Sequence, residues 1–197
     1  MKWLPKVVWL VLFSLLLFDC KTTDTITDHK IENKASVFPD DWLGDWVGEL
    51  KIYSGNELRQ TIPMGLRIEP KADSDNHTYI IRYGDDVEAS KRNYELITID
   101  KEKGLFKIDE KNDIILEGYF LGGKFFQRFE VMGNLLFGTL EKQGDQLVWE
   151  MVMGKLEPVS TSGDTIILEE EIPPVNAYPI KVFQKAILNK LNKDDKQ

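Results

Sequence analysis

From about residue 44 to residue 153 the chain keeps repeating one pattern, a short run that alternates apolar and polar side chains and then a break of glycine, asparagine or aspartate. Ile62, Met64, Leu66 and Ile68 fall on one parity, with Thr61, Pro63, Gly65, Arg67 and Glu69 on the other. Trp46, Leu50 and Ile52 alternate in the same way with Val47, Glu49 and Lys51. A period of two places successive side chains on opposite faces, so each run reads as a strand with one face on a core and one in water. Further strands are expected over 78–83, 93–99, 105–108, 114–120, 124–132, 135–141 and 146–153. The breaks, among them Ser54-Gly55-Asn56, Gly84-Asp85-Asp86, Gly122-Gly123 and Gly144-Asp145, supply the positive φ angles of tight hairpins. Such connections are mostly too short for crossovers, so successive strands pair antiparallel.

Residues 154–179 are less regular and carry Pro158, Pro173 and Pro174, with one brief strand expected over Thr165–Leu168. Beyond them Ile180, Val182, Ala186 and Leu188 share a parity opposite Lys181, Lys185 and Asn189, as a strand closing against the first would. Ala186-Ile187-Leu188 followed by Lys190-Leu191 also fits a short helix. Many short strands at regular spacing make a barrel or a sandwich. The closing strand favours an all-β, antiparallel up-and-down β-barrel of about ten strands over residues 42–190, followed by a charged tail at 191–197.

The start of the chain has another character. Lys2 and Lys6 precede an apolar run from Val7 to Phe18 that is broken only by Ser14. The run falls short of the roughly 20 residues that span a bilayer, and a basic stretch before such a core is a secretory signal. Leu17-Phe18-Asp19-Cys20 resembles the lipobox of bacterial lipoproteins. That resemblance implies a signal peptide over 1–19, a lipidated Cys20 as the first mature residue, and an anchor in the bacterial cell envelope, by analogy its outer membrane. The polar stretch 20–41 then reads as a flexible tether. Cys20 is the only cysteine, so no intramolecular disulfide forms and the exported fold stands on its core.

A net charge of −8 becomes one unit more negative when Lys2, Lys6 and Asp19 leave with the signal. Nucleic acids and anionic lipids are bound through basic patches, so this balance argues against both. Gly44-Asp45-Trp46, opening the first strand, resembles the Gly-x-Trp motif of lipocalins and related calycin-type barrels. The family's Thr-Asp-Tyr-like turn and its arginine on the closing strand are not evident here. The resemblance implies a tryptophan packed across the bottom of a barrel that encloses an apolar ligand.

On that reading the lumen is lined by Trp46, Met64, Leu66, Tyr79, Tyr83, Phe125, Phe129, Trp149 and Met151. The same side chains equally describe a packed core, since a barrel of this size either fills its interior or holds one small ligand. His77, the only histidine of the folded part, is a candidate haem ligand, although the polar run Lys71–Asn76 before it favours a surface residue at a loop end. No Gly-x-Ser-x-Gly elbow and no His/Cys cluster is present, so neither an enzyme nor a metal or other cofactor is expected. The expected function is a lipid-anchored envelope protein that carries a small apolar ligand. The alternatives are a solid scaffold that binds another envelope protein, or a haem-binding or enzymatic barrel.

Overall fold

The computed structural model describes residues 37–86 and 89–192. The expected signal peptide, Cys20, most of the expected tether and residues 193–197 lie outside the described residues. A 3-10 turn over Asp40–Trp42 leads into β1 (Gly44–Ser54). There follow β2 (Glu57–Pro70), β3 (His77–Tyr83), β4 (Arg92–Asp100), β5 (Leu105–Asp109), β6 (Ile115–Leu121), β7 (Lys124–Val131), β8 (Asn134–Gln143) and β9 (Gln146–Lys155). Four three-residue strands come next: β10 (Ser160–Ser162), β11 (Thr165–Ile167), β12 (Glu170–Ile172) and β13 (Val175–Ala177). The final strand is β14 (Val182–Lys190).

Strands β1 to β9 pair in sequence order, and β14 lies between β9 and β1, so the sheet closes on itself as a ten-stranded antiparallel barrel. Residues Ala186, Ile187 and Leu188, which also fitted a short helix, therefore lie in the closing strand, with Gly48 opposite Leu188 and Leu50 opposite Ala186. Closure removes every free sheet edge from the barrel.

One end is sealed by aromatic rings. Phe38, four residues ahead of the expected start of the domain, is only 2% exposed. Its ring lies 4.9 Å from Trp42, 5.0 Å from Phe106, 5.2 Å from Phe120 and 4.8 Å from Phe125, in edge-on and stacked arrangements. Such pairs contribute about 0.5–1.5 kcal/mol each beyond the burial of their area. Gly118 makes room for the cluster, since a Cβ there would sit 2.3 Å from the Phe125 ring.

Outside the same end an ion triad ties three strands together. The buried Asp45 carboxylate accepts from Arg67 Nε at 3.1 Å and Nη2 at 2.5 Å, and from the Arg82 guanidinium. Burial pushes this carboxyl up, but the two guanidiniums outweigh it and hold it below the usual range. Arg82 reaches across Gly65 on β2, where a Cβ would come within 2.6 Å of it.

The excursion between β9 and β14 is one hairpin arm. Ser160 pairs with Ala177, Ser162 with Val175, Thr165 with Ile172 and Ile167 with Glu170, so a single register runs through all four short strands.

Candidate functional site

Register fixes which side chains enter the barrel. Trp46 faces Leu66, Gly48 faces Met64, Leu66 faces Ile81, and Ile68 faces Tyr79, all on the interior parity. Phe125 faces Leu140, which faces Trp149, and Gly138 faces Met151. All nine side chains proposed to line the lumen thus share the inward face, but at two levels. Trp46, Leu66, Tyr79, Phe125 and Trp149 are buried toward the sealed end, and Met64 is buried where the two levels meet, opposite Tyr83. Tyr83, Phe129 and Met151 are half-buried toward the other end.

The lower level is solid. A cavity lined by Tyr79, Phe125, Gln127, Gly138, Leu140 and Trp149 measures about 10 Å³. That is about the room of one water, against roughly 300–1,000 Å³ for a ligand pocket. A roomier hollow of about 430 Å³ lies over β1 and β14, lined by Lys51, Tyr53, Lys185 and Ile187. Lys51, Tyr53, Lys185 and Ile187 sit on the parity opposite Leu50 and Ala186, so this hollow is on the outer wall and not in the lumen.

Above the solid level Ile52, Ile62, Tyr83, Tyr94, Leu116, Phe129, Leu136, Met151 and Met153 point inward and are half-buried, toward the end from which the arm departs. Burial raises the Tyr83 hydroxyl to about 12 and also raises Tyr79, so both are neutral donors at pH 7. Gln127 Nε2, at the boundary between the two levels, is buried and has no hydrogen-bond partner among the described residues.

His77 is not a surface residue at a loop end. It opens β3 on the inward parity shared with Tyr79 and is 7% exposed, because its strand begins where the polar run ends. It borders a cleft of about 400 Å³ with Pro39, Asp40, Pro70, Asp75, Thr98 and Lys101. Across that cleft Lys101 Nζ donates to Asp40 Oδ2 at 2.5 Å. Nδ1 of His77 is buried and unpartnered among the described residues. Burial lowers the affinity of this imidazole for a proton, against a smaller opposing pull from Asp40. The unfolded chain therefore binds the proton first, so stability is highest above about pH 6.5 and falls as acid is added through the folded-state value. Urea midpoints measured from pH 7.5 down to 5 are expected to drop for the wild type and to drop less for His77→Phe. Parallel curves for the two would mean that His77 does not titrate differently in the folded state. Among the described residues no group of three or more His, Cys, Asp and Glu side chains is placed to hold a metal ion.

Several positions that carry the architecture were not singled out from sequence. Lys190 on β14 sets its ammonium 5.4 Å from the centre of the Trp46 ring. Glu95, facing outward on β4, takes Lys71 at 2.8 Å, Lys111 at 2.6 Å and Asn76 Nδ2 at 2.9 Å. The ammonium groups of Lys111 and then Lys71 bring its carboxyl down to about 2. The clamp pins the β2–β3 loop to β4, and Asn76 Oδ1 completes it by accepting from Thr98 N at 3.2 Å.

Fold and interior together define a ten-stranded antiparallel barrel with a buried aromatic floor and half-buried apolar side chains facing inward toward its other end. No protein-family model matches the chain, and neither does any curated protein or solved structure.

Proposed function

We propose that this protein is an envelope lipoprotein that binds a small apolar molecule in the mouth of its barrel. The carrying observation is the half-buried inward ring of Tyr83, Phe129, Met151 and Met153 set above a solid floor. The ligand's apolar body rests on that ring, where methionines adapt to shape. An acceptor oxygen on the ligand reaches the Gln127 amide. The closed floor makes the site a shallow cup, so one end of the ligand stays at the surface. The anchor belongs to this proposal as well, on the strength of the signal-like start and Cys20.

The test uses the Cys20→Ala form, a panel of fatty acids, sterols and quinones, and native mass spectrometry with thermal melts. A ligand that binds only the folded state raises Tm with occupancy. Met151→Lys is expected to weaken binding by at least about tenfold, or 1.4 kcal/mol. Gln127→Leu should weaken acceptor-bearing ligands more than plain hydrocarbons. A clean apo mass and no thermal response to any member of the panel would remove the ligand reading. The anchor is checked separately, by palmitate labelling that is present in the wild type and lost in Cys20→Ala; an unlabelled wild type would remove it. The solid floor is the observation that favours the scaffold alternative.

A further inference from the structure

The hairpin arm has the wrong surface for a spacer. An isolated two-stranded ribbon is marginal in water and needs a face covered to be stable. Here Ile166 is 72% exposed, Ile167 56%, Leu168 96% and Val175 57%. In β11 and β12, Ile167 shares a row with Glu170 and Ile166 with Glu171, so apolar groups stand on both faces of the ribbon. The turn joining these strands is stranger still. Leu168 and Glu169 both lie at positive φ, 52° and 68°. A two-residue turn of that kind is normally Asn-Gly or Gly-Gly, because a Cβ is disfavoured there. A bulky apolar residue held in such a conformation, at full exposure, points to a contact beyond the described residues that outweighs the local strain.

Charge narrows the choice of what makes that contact. From Leu156 to Ile180 the arm has no Lys or Arg, but it carries Glu157, Asp164, Glu169, Glu170 and Glu171. An acidic arm is repelled by anionic lipid, and a second copy of this net-acidic chain is a poor match for it. We infer that the 156–180 arm docks on a protein whose surface offers an apolar pocket bordered by Lys and Arg. Ile166 and Leu168 fill the pocket, and Glu169, Glu170 and Glu171 meet the basic border. The exposed edges of β11 and β12 are open to strand pairing with the same partner. This goes beyond ligand binding in the mouth and supplies a surface for the scaffold alternative.

The experiment places a photo-crosslinking phenylalanine analogue at position 168 of the full chain in its own cells, with Ile115 on the outer wall as the control position. The adduct is identified by mass spectrometry, and the captured protein is purified and titrated with the full chain. Adduct formation is expected at 168 and not at 115. Leu168→Gly, which suits the positive φ, should leave the barrel Tm unchanged and weaken binding by about tenfold or more, as loss of an anchor residue does. Replacing Glu169, Glu170 and Glu171 by Lys should do the same, and added salt should weaken the wild-type complex. An adduct only at the mass of a dimer, or crosslinking to vesicles of phosphatidylglycerol and phosphatidylethanolamine, would overturn the inference. So would a captured protein that binds Leu168→Gly as tightly as the wild type. Neither change touches an inward-facing residue, so ligand binding in the mouth, measured on the same variants, stands or falls independently.

Discussion

Trp46→Ala is expected to destabilise the barrel by roughly 3–5 kcal/mol, the usual cost of emptying a large aromatic site in a core that cannot collapse. The indole is 1% exposed, and its N–H donates to the Trp42 carbonyl at 2.9 Å. Removing it takes a buried hydrogen bond from that carbonyl and the aromatic face from under Lys190. The loss should appear as a lower urea midpoint at an unchanged slope, since the fold remains the same. A loss below about 1 kcal/mol is what an exposed residue gives, and would show that the ring is not packed in this way.

Phe38→Ala should cost a similar 3–5 kcal/mol, although the residue precedes the first strand. Its ring is the hub of the floor, touching Trp42, Phe106, Phe120 and Phe125 together. Phe38→Leu keeps most of the volume and loses the ring contacts, so its cost should be about 1–2 kcal/mol. Near-ultraviolet circular dichroism should report loosening of the aromatic floor in Phe38→Ala. A chain that starts at Trp42 and keeps full stability would refute the plug.

The barrel was legible because alternation is a local signal. Ile62, Met64, Leu66 and Ile68 declare their shared face within seven residues of sequence, and each turn declares itself by its glycine or asparagine. The nine lumen candidates shared their faces for the same reason, and register then placed them all inside. Phe38 was illegible. It stands between Val37 and Pro39 with no period to join, and its four ring partners lie in other parts of the chain. The Asp45–Arg67–Arg82 triad was hidden for a related reason: each member occupies an outward position and reads alone as solvated charge. Only the pairings of Asp45 with Arg67 and of Gly65 with Arg82 bring the two guanidiniums to the carboxylate. The polar run Lys71–Asn76 masks His77, whose parity with Tyr79 and Ile81 is what places it inside. How far the interior is filled was never legible, since a packed core and a lined cup draw on the same residue types.

The way β14 enters the barrel, between the first strand and the ninth, also governs how the molecule is made. Strands β1 to β9 can assemble as they emerge, each against the one before it, through local hairpins. The seam cannot. Until Val182–Lys190 arrives, β1 and β9 each present an unpaired edge, the kind of template on which chains stick to one another. Joining two ends so distant in sequence is also the slowest type of contact to form. The open sheet is therefore the vulnerable species in the life of this protein, and the time from completion of β9 to insertion of β14 is when a chaperone or a protease would act on it.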